Sequence, residues 1–138
     1  MNISSIMSSP VVTVELDDDL SVVNEIFSNT KFHHLLVVEE DRLIGVVSDR
    51  DLLKAISPRV GTAAEEPSDT ATLNKKVHQV MTRKPICIRQ EDNLYRAVDL
   101  FIEHNISCLP VLDKDQLPVG IISWRDLLKA IKKPRPVE

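Results

Sequence analysis

Two short phrases set a hydroxyl and a carboxylate at one fixed spacing: Ser48-Asp49-Arg50-Asp51 and Ser123-Trp124-Arg125-Asp126. Each follows a β-branched run and leads into an amphipathic segment, which places it where a strand turns into a helix. Two chemistries suit that place. As a cap, the serine accepts a backbone N–H and the carboxylate three residues on closes a capping box at the positive helix end, a stabilisation of about 1 kcal/mol with no further function. As a site, the open N–H groups and the serine hydroxyl meet a phosphate, while the two carboxylate oxygens accept from the vicinal hydroxyls of a ribose. The roles are compatible, because a cap uses only part of the hydrogen-bonding capacity of serine.

Arg50 and Arg125 lie between these residues. A guanidinium at a helix start is electrostatically misplaced unless an anion compensates it. A bound phosphate supplies that anion; so does a surface acid such as Asp49. Trp124 stands where the first phrase has Asp49, and its ring suits either stacking on a base or packing against a partner subunit, the second favoured because aromatic side chains are enriched at interfaces.

The two phrases belong to a duplication. At an offset of 74, Met7 matches Met81, Asp18 matches Asp92, Leu20 matches Leu94, Phe27 matches Phe101 and Val37 matches Val111. One extra residue near Pro118 raises the offset to 75, and residues 45–56 then match residues 120–131 with nine of twelve identical. So long a period excludes short solenoid repeats and indicates a doubled subdomain, the copies packing about a pseudo-two-fold axis. The repeats are assigned to residues 1–56 and 75–132, joined by a linker over residues 57–74 whose first part is rich in turn formers and acids, with a frayed tail at 133–138.

The elements that position the phrases repeat in order. A brief β-branched strand at Val11–Val14 or Ile86–Ile88 is followed by a helix marked by Leu20, Val23, Ile26 and Phe27, or by Leu94, Ala97, Val98, Phe101 and Ile102. The runs Leu35–Val38 and Leu43–Val47 flank an acidic turn and read as an antiparallel hairpin, repeated at Leu109–Leu112 and Val119–Ile122. Short amphipathic helices close each copy at Asp49–Ile56 and Trp124–Ile131. The fold class is therefore α/β, each repeat running strand, helix, strand, strand, helix after a lead-in turn.

Composition narrows the function. With 43% hydrophobic and 28% charged residues in 138, the chain carries enough apolar surface to fold. A net charge of -4 offers no basic field to a phosphate backbone, so nucleic acid is not an expected partner. No apolar run approaches the ~18–20 residues of a membrane span and the first residues lack the features of a signal peptide, so a cytoplasmic location is expected. Cys87 and Cys108 have no C-x-x-C spacing and are read as reduced thiols. Adjacent His33 and His34 point to opposite faces of a strand, so they and the two cysteines form no tight metal-ligand pair. No nucleophile elbow, P-loop or G-x-G-x-x-G occurs among only three glycines, so no catalytic role is expected.

Three phrases recur in the same order in both copies: Ile6-Met7-Ser8-Ser9-Pro10 with Val80-Met81-Thr82-Arg83-Lys84-Pro85, His34-Leu35-Leu36-Val37 with Cys108-Leu109-Pro110-Val111, and the two phrases ending in Asp51 and Asp126. In these the chain resembles a tandem pair of CBS domains, named after cystathionine β-synthase. The resemblance covers residues 3–56 and 77–131, with one departure, Leu36 where the second copy and the family pattern have proline.

Membership in that family implies a regulatory module, cytoplasmic and homodimeric, that binds an adenosine-containing nucleotide (AMP, ADP, ATP or S-adenosylmethionine) in the cleft between the repeats. Such a module senses energy state or a related signal and transmits occupancy to a separate regulated protein. By the same resemblance, Asp51 and Asp126 take the ribose and Ser48 and Ser123 the phosphate, which Arg50 and Arg125 join if the anion that compensates them is the ligand's and not a surface acid's. Thr13 and Val14, with Cys87 and Ile88, either line the clefts and offer backbone groups to the adenine or are merely core strand residues, and His34 and Cys108 stand just before the central strands, where family members often touch ligand but a histidine or cysteine is also a common packed strand-end residue. No cofactor is required. The rival expectation is a ligand-free dimerisation or docking module in which both motifs are only helix caps.

Overall fold

The computed structural model describes residues 1–132; the tail expected at 133–138 lies outside the described residues. The chain forms two compact units, one of residues Met1–Val11 with the described residues from Ile86 on, the other of Val12–Pro85. These units cut across the sequence repeats. The lead-in of each repeat packs within the unit built on the body of the other.

In the unit of Val12–Pro85, strand β1 (Thr13–Glu15) leads to helix α1 (Leu20–Asn29), then the hairpin β2 (His34–Glu39) and β3 (Arg42–Ser48), helix α2 (Asp49–Ala55), a short helix α3 (Pro67–Thr70) and strand β4 (Thr82–Arg83). The sheet order is β1-β2-β3-β4, with β1 parallel to β2 and the remaining pairs antiparallel. Val14, Leu20, Val23, Leu35, Val37, Val47, Leu52 and Val77 form its buried core. Val77 comes from the lead-in of the second repeat, seated by hydrogen bonds from its N–H to Asp18 O (2.9 Å) and from Leu20 N–H to Lys75 O (2.8 Å).

The other unit repeats this plan with β5 (Ile88–Arg89), α4 (Leu94–Glu103), β6 (Cys108–Leu112), β7 (Pro118–Ser123) and α5 (Trp124–Lys132), in sheet order β5-β6-β7. Its core is Ile3, Ile88, Ala97, Leu100, Leu109, Val111, Ile122 and Leu127. Ile3 takes the part of Val77, and the Leu94 N–H donates to Met1 O (3.0 Å) as Leu20 does to Lys75. Ser8 and Ile121 exchange backbone hydrogen bonds at 2.9 and 3.0 Å, the counterpart of the β3–β4 pairing.

The hairpins expected from the β-branched runs are present, each with a register shift, between Val37 and Val38 and between Val111 and Leu112. The residue at Leu36 or Pro110 sets the length of the neighbouring parallel pairing. Leu36 donates its N–H to Val12 O (3.1 Å) and pairs with Thr13, whereas Pro110 has no N–H to donate and pairing in the second copy starts one residue later, at Ile88 with Val111. The first strand accordingly has three residues and its twin two. Part of the linker is ordered: α3 and a 3-10 turn at Ala71–Asn74 follow a network in which Ser57 Oγ donates to Asp69 (2.7 Å) and Ser57 N–H to Thr72 Oγ1 (3.0 Å). The Ser57 hydroxyl, with the Glu66 N–H, holds the Asp69 carboxyl below its ordinary value.

Candidate functional site

Antiparallel pairing sets His34 opposite Ser48, and Cys108 opposite Ser123, so each strand end delivers its candidate residues to the start of the following helix. Within each unit the candidates gather at one end of one sheet. Thr13, Val14, His34, Ser48, Arg50 and Asp51 belong to the Val12–Pro85 unit, and Cys87, Ile88, Cys108, Ser123, Arg125 and Asp126 to the other.

Both Ser-x-x-Asp phrases close as capping boxes. In the first, Asp51 N–H donates to Ser48 Oγ (3.0 Å) and Ser48 N–H to Asp51 Oδ2 (2.9 Å). In the second, Asp126 N–H donates to Ser123 Oγ at a longer 3.3 Å, and Asp126 Oδ2 accepts from both Ser123 N–H (2.8 Å) and Ser123 Oγ (3.1 Å). The carboxylates differ beyond the cap. Asp126 Oδ1 accepts from the Ser8 hydroxyl (3.3 Å), so both its oxygens are engaged. Asp51 Oδ1 accepts no hydrogen bond among the described residues, and Asp51 stands on the wall of a cavity of about 340 Å³ lined also by Lys54, Ala55, Lys75 and Val80.

The other candidates divide by burial. Arg50 and Arg125 are exposed, and among the described residues neither forms an ion pair. Asp49, the surface acid within reach of Arg50, is instead joined to His33, whose Nδ1 lies 2.8 Å from Asp49 Oδ2. Val14 and Ile88 are core residues, each 3% exposed, so their side chains are closed to a ligand. Among the described residues their strands β1 and β5 are nevertheless the outermost of their sheets. Thr13 is exposed, Cys87 half-buried and Cys108 buried. Burial pushes the Cys87 thiol up to about 11 and holds His34 below its ordinary value, against the opposing pull of Asp49 and Asp51. Trp124 meets Phe101 edge to face, with ring centroids 6.3 Å apart.

Lys54 and Lys75 were not among the candidates from sequence, although both line the cavity. The repeat carries no distinct signal for Lys75: at the offset of 74 it falls on Met1, but Lys76 likewise falls on Asn2 and Arg83 on Ser9, so changes of charge between the copies are common. Among the described residues no group of three or more His, Cys, Asp or Glu is placed to hold a metal, and no helix is long and apolar enough to cross a membrane.

A family model for the CBS domain matches residues 3–58 and 77–133. A CBS domain-containing protein of Dictyostelium discoideum is 32% identical, over 95% of this chain and 91% of its own. Among solved structures, the CBS domain of a CBS domain-containing membrane protein from Sphaerobacter thermophilus is 31% identical with a TM-score of 0.80, covering 93% of this chain and 86% of its own. CBSX2, solved in complex with AMP, is 26% identical with a TM-score of 0.76, covering 94% and 95%.

Proposed function

Because the chain belongs to the CBS domain family, we propose that it is a non-enzymatic regulatory module that binds an adenosine nucleotide at its Ser-x-x-Asp junctions and passes occupancy to a separate protein. The observation that carries this reading is the open Asp51 Oδ1 on a cavity wall, beside an oxygen already fixed by Ser48. A carboxylate so held is oriented without being saturated, and a ribose diol needs an acceptor of that kind. The AMP complex of CBSX2 supports the choice of an adenosine ligand. AMP, ADP, ATP and S-adenosylmethionine all present the diol.

In this reading Ser48 and Arg50 contribute to the anion, His34 and the outer edge of β1 face the base, and Ser123, Arg125, Asp126, Cys87, Ile88 and Cys108 form the matching second site. The Asp51 site is the stronger of the two, since a ligand at Asp126 must displace the Ser8 hydroxyl. Signalling requires that the ligand prefer one of two conformations of the module or its assembly. The module is a cytoplasmic homodimer, associating through the exposed face of α5.

The rival reading, a ligand-free association module, draws on the same α5 face and on the complete capping boxes. Titration calorimetry of the whole chain with AMP, ADP, ATP and S-adenosylmethionine separates the two. At least one ligand binds, and Asp51→Ala abolishes that binding more completely than Asp126→Ala. If none binds at millimolar concentration, the sensor reading is lost and the association module stands.

A further inference from the structure

We infer that Met7 and Met81 are a matched pair of oxidation sites, and that a peroxide converting either thioether to its sulfoxide loosens the lead-in that carries it. The inference goes beyond the nucleotide reading and does not depend on it.

The chain has three methionines, and two of them stand at the same place in the two repeats. Met7 N–H donates to Ile3 O (2.9 Å) and Met81 N–H to Val77 O (3.0 Å), so each closes the turn that seats a fully buried core residue, Ile3 or Val77. Each methionine side chain is half-buried and packs against the core of its own unit. Half-burial leaves a small oxidant a way in that a sealed core would deny. Each sulfur also fills the space left by a strand glycine. Sδ of Met7 or Met81 is the atom nearest to the point where a Cβ would stand on Gly120 or Gly45, and the carbonyl oxygen of Ser8 or Thr82 lies 3.1 or 2.9 Å from that same point.

A thioether suits such a gap, being slender, polarizable and in need of no hydrogen bond. A sulfoxide does not. The sulfur lone pair attacks one oxygen of hydrogen peroxide, the O–O bond breaks as the S–O bond forms, and the departing hydroxide takes up the released proton and leaves as water; sulfur is oxidised and the peroxide reduced. The new oxygen is a strong acceptor. On one side it meets a backbone carbonyl, itself an acceptor, and on the other an apolar core with nothing to donate, and a buried acceptor without a donor is unfavourable. The oxidised side chain therefore turns outward to water and gives up its contact with the glycine.

That loss lies one residue from each candidate site. Ser8, next to Met7, exchanges backbone hydrogen bonds with Ile121 and donates its hydroxyl to Asp126 (3.3 Å). Val80, next to Met81, lines the cavity beside Asp51. Methionine sulfoxide is reduced enzymatically, so the modification is reversible and acts on both halves of the module alike.

The test treats the full chain with dilute hydrogen peroxide and follows it by peptide mass spectrometry and amide hydrogen exchange. Met7 and Met81 each gain one oxygen, and exchange at the Met7, Ser8 and Met81 amides quickens about tenfold. Methionine sulfoxide reductases acting on both epimers restore the slow exchange, and a thiol reductant alone does not. The double variant Met7→Leu and Met81→Leu, which conserves side-chain volume, keeps its exchange under peroxide although Met1, 57% exposed and in neither core, still gains oxygen. Both cysteines are present in wild type and variant, so the comparison removes them as the cause. The inference is overturned if Met7 and Met81 stay reduced while Met1 is fully converted, if their oxidation leaves exchange unchanged, or if the double variant responds as wild type does. Should the double variant not fold, wild type decides alone: fast exchange that persists after the reductases have removed the oxygen overturns the inference, and recovery that requires them supports it.

Discussion

Met81 lays its sulfur against the bare α-carbon of Gly45, so closely that a Cβ built on the glycine would stand 2.7 Å from Sδ and 2.9 Å from Thr82 O. The contact joins the second repeat's lead-in to the closing strand of the first. Met7 and Gly120 repeat it, with Ser8 O at 3.1 Å from the added carbon. In both places the glycine serves close approach of another chain segment, since it is the absence of a side chain that lets β4 or its counterpart lie against the strand.

Gly45→Ala is therefore expected to destabilise by about 1–3 kcal/mol through overpacking, and by more than Gly120→Ala. The reason is what must move. At both glycines the nearest atom belongs to a flexible thioether, but the backbone carbonyl that yields less easily would lie at 2.9 Å beside Gly45 and at 3.1 Å beside Gly120. Denaturant midpoints of the two variants test the order, and Met7→Ala should recover most of the loss in Gly120→Ala while Met81→Ala recovers less in Gly45→Ala.

Removal of the capping hydroxyls should cost about 0.5–2 kcal/mol each. Ser48→Ala is expected to cost more than Ser123→Ala, because Ser48 Oγ accepts at 3.0 Å and Ser123 Oγ at 3.3 Å. Asp126 also keeps the Ser8 hydroxyl when Ser123 is lost. Thermal melts in the absence of nucleotide read this directly, and the reverse order would show that the shorter bond is not the stronger cap.

How far the residues announce this arrangement depends on whether the determining contact is local. The hairpins, α1 and α4 and the capping boxes are visible as β-branched runs, 3.6-residue periodicity and Ser-x-x-Asp, because each is decided within about ten residues. The strand made by Thr82–Arg83 is not: it has two residues and exists through its partner Gly45–Val46. For the same reason the repeats read from sequence say nothing of which body receives Ile3 or Val77. The candidate site was legible at Ser48 and Asp51, where types and spacing carry the chemistry. Lys54 and Lys75 are 21 positions apart, and only folding brings both to one cavity.

Stability should fall on mild acidification through His34. Burial lowers its folded pKa below the unfolded value of 6.5, so between that value and the folded one the unfolded chain binds more protons. The contribution of neutral His34 is complete above 6.5 and is lost as pH drops toward the folded pKa. Melting temperatures of wild type and His34→Gln between pH 7.5 and about 5 check this: the wild-type curve falls more steeply, and parallel curves would remove His34 as the cause.

Trp124, Leu128 and Ile131 recur at the spacing of one helix face, and on α5 they are 60, 65 and 68% exposed. Leu127, from the same helix, fills the core, so α5 is apolar toward both its own unit and solvent. Three large apolar side chains in a row on the outside of a nine-residue helix are more than scattered surface residues, and covering them favours association by roughly 25 cal/mol per Å² of apolar area removed from water. A second copy of the chain is the occupant proposed above. Leu128→Glu is then expected to convert a dimer to a monomer in sedimentation velocity with little change in the far-ultraviolet spectrum, since the residue makes no core contact. The double change Leu128→Glu and Ile131→Glu should do so at all accessible concentrations. A wild-type chain that sediments as a monomer, or a dimer indifferent to both changes, would move the self-association surface away from α5.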